Sequence, residues 1–588
     1  MELTALDWII IASYFLIALA IGVIFAKRAG SGLEEFFVSG RNLPWWLVGT
    51  SMVATTFATD TPNLVTNLVR SDGVKGNWAW WAFLLTGMVT VFLYAKLWRR
   101  SGVMTDIGFY ELRYSGKAAT FLRGFRAVYL GFFFNCVIMA NVTLAAIKLS
   151  GILLGLDPYT TVLICGIITA IYASTAGLWG VVVTDLFLFV VSMTGAIGAA
   201  YYAVNHPEVG GLGNLLSHPE VLPALNIFPD FRNLAEVVPL LVVPFAVQWW
   251  SVWYPGAEPG GGGYVAQRML AAKDERNSML ATLWFNIAHY AIRPWPWILV
   301  ALASIVVFPT LDSIQQRFPD IPANIVQDDL AYPAMLTFVP SGMLGIIMAS
   351  LAAAYMSTIS THLNWGSSYL VDDVYRRFVK KDASEAHYVA VARITTVVLM
   401  VVACWLSFQL ESALQGFEIL LQIGAGTGLI YLLRWFWWRV NAWSEISGMA
   451  ISFIVALFFK LVYPNTGLPE MASWVQLVLG VGITTLTWIV VTLLTPPAEP
   501  EVLQNFYNKI RPVGRGWAKV VDTTQVESTD SLGAGVACVF FGCLAVYSAL
   551  FATGYFIYGL TIPAVILSVI CIGAAIAILK LLPRVQLL

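Results

Sequence analysis

Four hydroxyls crowd one apolar stretch of the chain, at Ser357, Thr358, Ser360 and Thr361. A helical turn is 3.6 residues, so they cover more than one helix face. Neutral oxygens held close together suit a small hard cation, although such hydroxyls equally bond back to their own helix. Two further stretches offer backbone oxygens. Between Ala54 and Asn63, around Pro62, and between Trp253 and Gly263, through Pro255, Pro259 and a run of four glycines, apolar runs are interrupted. Proline removes a donor and clashes with the preceding turn, so carbonyls there lose their helical partners. Asp185 adds a carboxylate within an apolar run. It reads either as a functional intramembrane acid or as a helix-start cap.

The elements that must position these groups are membrane spans. The chain has 588 residues, 59% hydrophobic and 11% charged, with a mean hydropathy of +0.75. Soluble domains carry about 25% charged residues, which excludes a globular enzyme or a nucleic-acid binder. The net charge of −1 names no partner. About fifteen runs satisfy the ~20 apolar residues that a crossing helix needs, so the fold class is an all-α polytopic membrane protein. The first run, near Trp8, lacks a basic leader and reads as a span. Lys and Arg gather on alternate connections, among them Lys27, Arg99, Arg123, Arg276, Arg377, Arg439 and Lys519. Basic residues stay on the cytoplasmic side, which places the N-terminus outside and the C-terminus inside an inner (plasma) membrane. No Walker A, HExxH or GxSxG motif is present, so neither an enzyme nor an organic cofactor is expected. The six cysteines all sit in apolar segments and read as packing residues.

Spans two to six form one set of five and spans seven to eleven another, each beginning with an interrupted helix. Paired interruptions in matching positions of two halves point to a transporter's binding site. The expected organisation is an N-terminal extra helix with its loop over 1–43, a first repeat over 44–204 and an external loop over 205–234. A second repeat follows over 235–440, then C-terminal extra helices over 441–588 with an internal loop at 496–532.

Three stretches then carry a resemblance. Ser39 to Trp46 leads into the first interruption, Ser174 to Asp185 reads STAGLWGVVVTD, and Met356 to Thr361 runs on to Asp372-Asp373-Val374-Tyr375. Gln267 to Lys273 is a weaker match. The sequence resembles the sodium/solute symporters, the group of bacterial sodium/proline, sodium/galactose and sodium/sialic acid carriers, over roughly residues 7 to 440. The resemblance implies a five-plus-five inverted-repeat (LeuT-type) core with one extra N-terminal and about four extra C-terminal helices. It implies a sodium site made by carbonyls of Ala54, Phe57 and Ala354 with hydroxyls of Ser357 and Thr358. A second sodium site of some members matches Asp185, Ser357, Ser360 and Thr361. This chain departs from the group at Thr56, at Thr61 and Trp80, and in the glycines 260–263.

In such a fold the solute sits beside the two interruptions. The candidates to line its pocket are Thr56, Asp60, Thr61, Trp80, Gln248, Trp249, Trp250, Glu258, His289, Tyr290, Arg293 and Gln422. Arg293 reads three ways: it clamps a carboxylate, pairs with a core acid, or snorkels to the surface. Lys148 poses the same question. The expected function is a sodium-coupled symporter importing a small polar organic solute, foremost a sugar or sugar derivative. The alternatives are an amino acid or organic acid as solute, or a membrane sensor built on the same fold. Expected partners are sodium, the solute and the lipid bilayer, with no nucleic acid, and the chain acts as a monomer or dimer.

Overall fold

A computed structural model describes residues 3–57, 60–251, 258–319, 321, 326–409, 424–513, 516–522 and 531–585. Among them there is no strand, only an isolated bridge between Leu43 and Ala272. Eleven helical segments among the described residues are long and apolar enough to cross a membrane. They are α1 (Ala5–Ala29), α4 (Val74–Ser101), α5 (Gly116–Leu154), α6 (Pro158–Val204), α9 (Glu275–Val307), α10 (Met343–Val379), α11 (Glu385–Ser407), α12 (Ala442–Asn465), α13 (Ser473–Leu494), α14 (Leu532–Ile557) and α15 (Thr561–Val585). The shorter α2 (Trp45–Thr55) and α3 (Asp60–Asp72) share one expected span. Another is represented by α7 (Leu234–Trp250), and α8 (Gly263–Ala271) follows it. Half of the expected eleventh span, 411–436, lies in 411–423, outside the described residues, and its second half holds a helix over Gly428–Leu433.

α6 accounts for two expected spans. A straight helix of its length would measure about 70 Å, more than twice the ~30 Å bilayer core. It folds back at Gly177, whose φ of 56° and ψ of −171° are open to glycine. A Cβ at this position would lie 2.7 Å from that of Ala29 and 3.2 Å from the Phe36 carbonyl oxygen. We expect Gly177→Val to lower stability by roughly 2 kcal/mol or more, from backbone strain and overpacking together. An unchanged melting temperature in detergent would refute this.

α1 is stitched to the start of α10 by one buried carboxylate. Asp7 accepts from the amides of Gly342 at 2.7 Å and Gly345 at 2.9 Å. The C-terminal helices are not a passive tail. Tyr547 of α14 donates to the Trp81 carbonyl at 2.8 Å, and Trp295 of α9 donates to the Leu550 carbonyl at 2.8 Å. Lys96 reaches the Val585 carbonyl at 3.3 Å. The 496–532 connection, expected as a loop, contains a helix over Pro500–Ile510. Its Phe506 packs on Phe109, and Trp517 stacks on Phe506. An apolar face at Leu503, Phe506, Tyr507 and Ile510 drives that docking.

Candidate functional site

Helix α2 stops at Thr55 and α3 starts at Asp60, so the first interruption is a true break in the helix. α10 crosses it. Thr358 Oγ1 donates to the Thr55 carbonyl at 3.0 Å, and Ser357 Oγ donates to Asp185 Oδ1 at 2.6 Å. The break, the hydroxyl row and the acid are thus brought to one place, and Ala54, Phe57, Ala354, Ser357 and Thr358 are all buried there. Asp185 is no helix-start cap, since it lies eight residues beyond the Gly177 break and its other oxygen takes Ser51 Oγ at 2.5 Å. Ser360 differs from its neighbours: its hydroxyl donates to the Ser357 carbonyl of its own helix at 3.2 Å.

Arg293 neither snorkels nor pairs with a carboxylate at contact distance. It is 1% exposed, and Nη1 donates to the Thr56 carbonyl at 2.6 Å and to Thr56 Oγ1 at 2.9 Å. Nη2 lies 3.2 Å from His289 Nε2. A guanidinium only donates, so Nε2 accepts and the ring proton sits on Nδ1, 3.0 Å from Thr56 Oγ1. The Thr56 hydroxyl spends its own proton on the Val53 carbonyl at 2.8 Å. Arg293 therefore caps the carbonyl end of the broken helix, with Phe57 and Trp297 rings against its guanidinium.

Beside this cap lies a cavity of about 230 Å³. Eight expected residues line it: Thr56, Asp60, Thr61, Trp80, Glu258, His289, Tyr290 and Arg293. Trp80 and Tyr290 stack with centroids 5.8 Å apart. Sequence reasoning missed Asn63, Asn141, Asn286 and Asp329, which line it as well, and Lys148, whose place the sequence left open, lines it too. Ile138, Asn141, Ala145 and Lys148 mark one face of α5 over about 15 Å of helix. At one end, Lys148 Nζ lies 4.0 Å from Asp329 and Arg70 pairs with Asp328 at 2.7 Å.

The other end is closed by a buried charge cluster. Arg126 Nη2 donates to Glu258 Oε1 at 2.6 Å, and its Nη1 donates to the Tyr431 hydroxyl and lies 3.9 Å from Glu445. Glu445 also receives Tyr114 at 2.7 Å and Arg434 at 3.4 Å. Asp106 is in the connection between α4 and α5, accepting from the Gly263 amide at 2.8 Å and from Tyr369. Burial and neighbouring Glu258 hold its carboxyl above the usual carboxylate range. Gly261, with φ of 93° and only 3.0 Å from a would-be Cβ to Trp98 Nε1, lets the chain turn under this floor.

Three expected pocket residues point elsewhere. Gln248 Nε2 donates to the Ala79 carbonyl at 2.7 Å, and Trp250 Nε1 donates to Ala246 of its own helix at 2.9 Å. The Trp249 carbonyl accepts from Thr86, and none of the three lines the cavity. The turn holding them faces α4 instead. Gln422, and residues 252–257 of the second interruption, lie outside the described residues.

The chain is similar to several characterised carriers. A sodium/glucose cotransporter of Vibrio parahaemolyticus is 25% identical over 78% of this chain and 86% of its own length. Sodium/glucose cotransporter 1 of Oryctolagus cuniculus is 24% identical, covering 85% of this chain and 80% of the relative. Sodium/myo-inositol cotransporter 2 of the same animal is 25% identical over 85% and 78% of the two chains. The solved structure of a substrate-bound, outward-open Na⁺-coupled sialic acid symporter superposes with a TM-score of 0.66 at 19% identity, covering 85% of this chain and all of that one. The helices thus form the LeuT-type fold. The sequence model of the Sodium:solute symporter family matches residues 36–452, and the chain belongs to that family as a multi-pass membrane transporter, not an enzyme.

Proposed function

We propose that the protein imports a neutral, polyhydroxylated solute, a sugar or sugar derivative, by alternating access driven by inward sodium flow. One observation carries this reading. Six residues that line the cavity each hold a buried polar atom with no partner among the described residues: Asp60 Oδ1, Asn63 Oδ1, Asn141 Oδ1, Glu258 Oε2, Asn286 Oδ1 and Arg293 Nε. Each unpaired buried group costs about 1–3 kcal/mol, so the wall favours a ligand rich in hydroxyls. The flat Trp80–Tyr290 wall offers an apolar face with polar tips, which fits a sugar ring. The names of the relatives, glucose and myo-inositol carriers, support the same class.

A carboxylate solute is the weaker reading. Both terminal nitrogens of Arg293 are committed to Thr56 and His289, and Lys148 faces Asp329. Sodium is assigned to the crossing of the break with α10, held by Ala54, Phe57, Ala354, Ser357 and Thr358. Its binding ties α10 to the broken segment whose other side forms the solute wall. Sodium therefore raises solute affinity, and solute raises sodium affinity by the same factor. Proteoliposomes offered labelled glucose, galactose and myo-inositol should accumulate at least one of them, and replacing external sodium by choline should return uptake to background. Accumulation undiminished in choline refutes the coupling, and accumulation of organic acids alone refutes the solute class.

A further inference from the structure

Helix α5 carries a single lysine within its apolar run Asn135–Leu154, Lys148, and a charge inside a membrane helix is costly unless something uses it. Its nitrogen makes no hydrogen bond among the described residues. Its ion partner is Asp329 Oδ2, 4.0 Å away, and both side chains are largely buried and line the solute cavity. A closed ammonium–carboxylate pair stands at about 2.7–2.9 Å, so this pair is open by roughly 1 Å. The second oxygen of Asp329, Oδ1, is buried and has no partner among the described residues.

The neighbouring acid does the mechanical work at this end. Asp328 and Asp329 follow each other in a short helical turn over Asp328–Leu330. Arg70 of α3 donates Nε to Asp328 Oδ1 at 2.7 Å and Nη1 to the Ser304 carbonyl of α9 at 3.0 Å. That joint holds the turn in place and leaves Asp329 and Lys148 to the cavity.

Two opposite charges 4.0 Å apart select what enters between them. A hydroxyl oxygen fits, because one point beside the gap lies about 2.8 Å from both, and a hydroxyl accepts and donates at once. A solute carboxylate would meet Asp329 and a solute ammonium would meet Lys148, repulsions that burial strengthens. On the same face of α5, Asn141 stands seven residues earlier, about 10 Å along the axis, with its own Oδ1 unpaired. The helix thus offers hydroxyl-reading groups at two levels of one cavity.

We propose that Lys148 and Asp329 are a specificity-determining pair at the outer end of the solute site: one hydroxyl of the sugar enters between them, accepting from Lys148 and donating to Asp329 Oδ1. The proposal rests on the sugar reading above and deepens it. A site built to bond a hydroxyl rejects the analogue that lacks it, because its own polar groups are left unpaired.

The test is competition in proteoliposomes holding the full-length chain under an inward sodium gradient. The labelled parent is whichever of glucose, galactose and myo-inositol is taken up, and the competitors are its singly deoxygenated analogues. In the native protein the analogue lacking the hydroxyl read by the pair should compete at least tenfold more weakly than the parent. Lys148→Met should raise the KM of the parent and bring that one analogue within threefold of it, leaving the discrimination at every other position and the sodium dependence of uptake unchanged. Asp329→Asn should erase discrimination at the same position. A merely structural role would weaken all analogues alike. Discrimination that survives at every position in either folded variant, or that is lost at different positions in the two, overturns the proposal while sparing sugar transport. Uptake of none of the three parents by the native chain overturns both readings.

Discussion

Exchanging Arg293 for glutamine is expected to cut solute uptake at least a hundredfold. The guanidinium makes two hydrogen bonds to Thr56, at 2.6 and 2.9 Å, and stands between the helix break and the cavity. Hydrogen bonds from a charged donor contribute about 1.5–3 kcal/mol each. Losing both exceeds the roughly 2.8 kcal/mol that corresponds to a hundredfold change. The Thr56 carbonyl and Asp60 would then face the cavity without a cation, and the break would lose its shape. Arg293→Lys keeps the charge but not the fork, so it should recover only part of the loss. Uptake within threefold of the native protein, at equal amounts of folded carrier, would reject the role given to this side chain.

The second large effect belongs to the floor of the cavity. Arg126 sits between Glu258 and Glu445, at 2.6 and 3.9 Å, in a dry cluster. Removing one partner of a buried pair costs about 3–5 kcal/mol. Moving a two-state equilibrium from 1:99 to 99:1 takes about 5.5 kcal/mol, so Arg126→Met should shift most of the population toward a state open at this end. A cysteine placed at the cavity-lining Val265 should then react at least tenfold faster with a charged thiol reagent supplied from the arginine-rich side. Equal rates in a stably folded Arg126→Met would exclude the cluster as a closure. Glu258→Gln keeps a hydrogen-bond acceptor for Arg126 and should give a smaller acceleration.

Much of this site was legible in the sequence because polar residues are conspicuous in apolar runs. Pro62 with Asp60, the hydroxyls of 357–361 and Asp185 all stood out this way, and the structure gathers them. Asn141 and Asn286 carried the same signal more faintly, as lone amides in long apolar helices. Arg126 was harder to see. It lies near the end of a span, where an arginine ordinarily marks the cytoplasmic flank, and its partner Glu258 is 132 residues away. Gln248, Trp249 and Trp250 were expected in the pocket because they precede a break, yet the side a residue faces depends on helix rotation. The length of α6 shows a similar limit. Hydropathy located two spans but not that the chain reverses within one glycine. In the 496–532 segment the prolines suggested a loop, while the apolar face of Pro500–Ile510 docked it.

The bonds from α14 to Trp81 and from Trp295 to α14 bear on how the halves can separate. Trp81 belongs to the first set of five and Trp295 to the second, and one late helix is riveted to both. Along that flank the two repeats share a spine. Separating the two repeats on that side requires breaking one of these bonds or carrying α14 along with one of them.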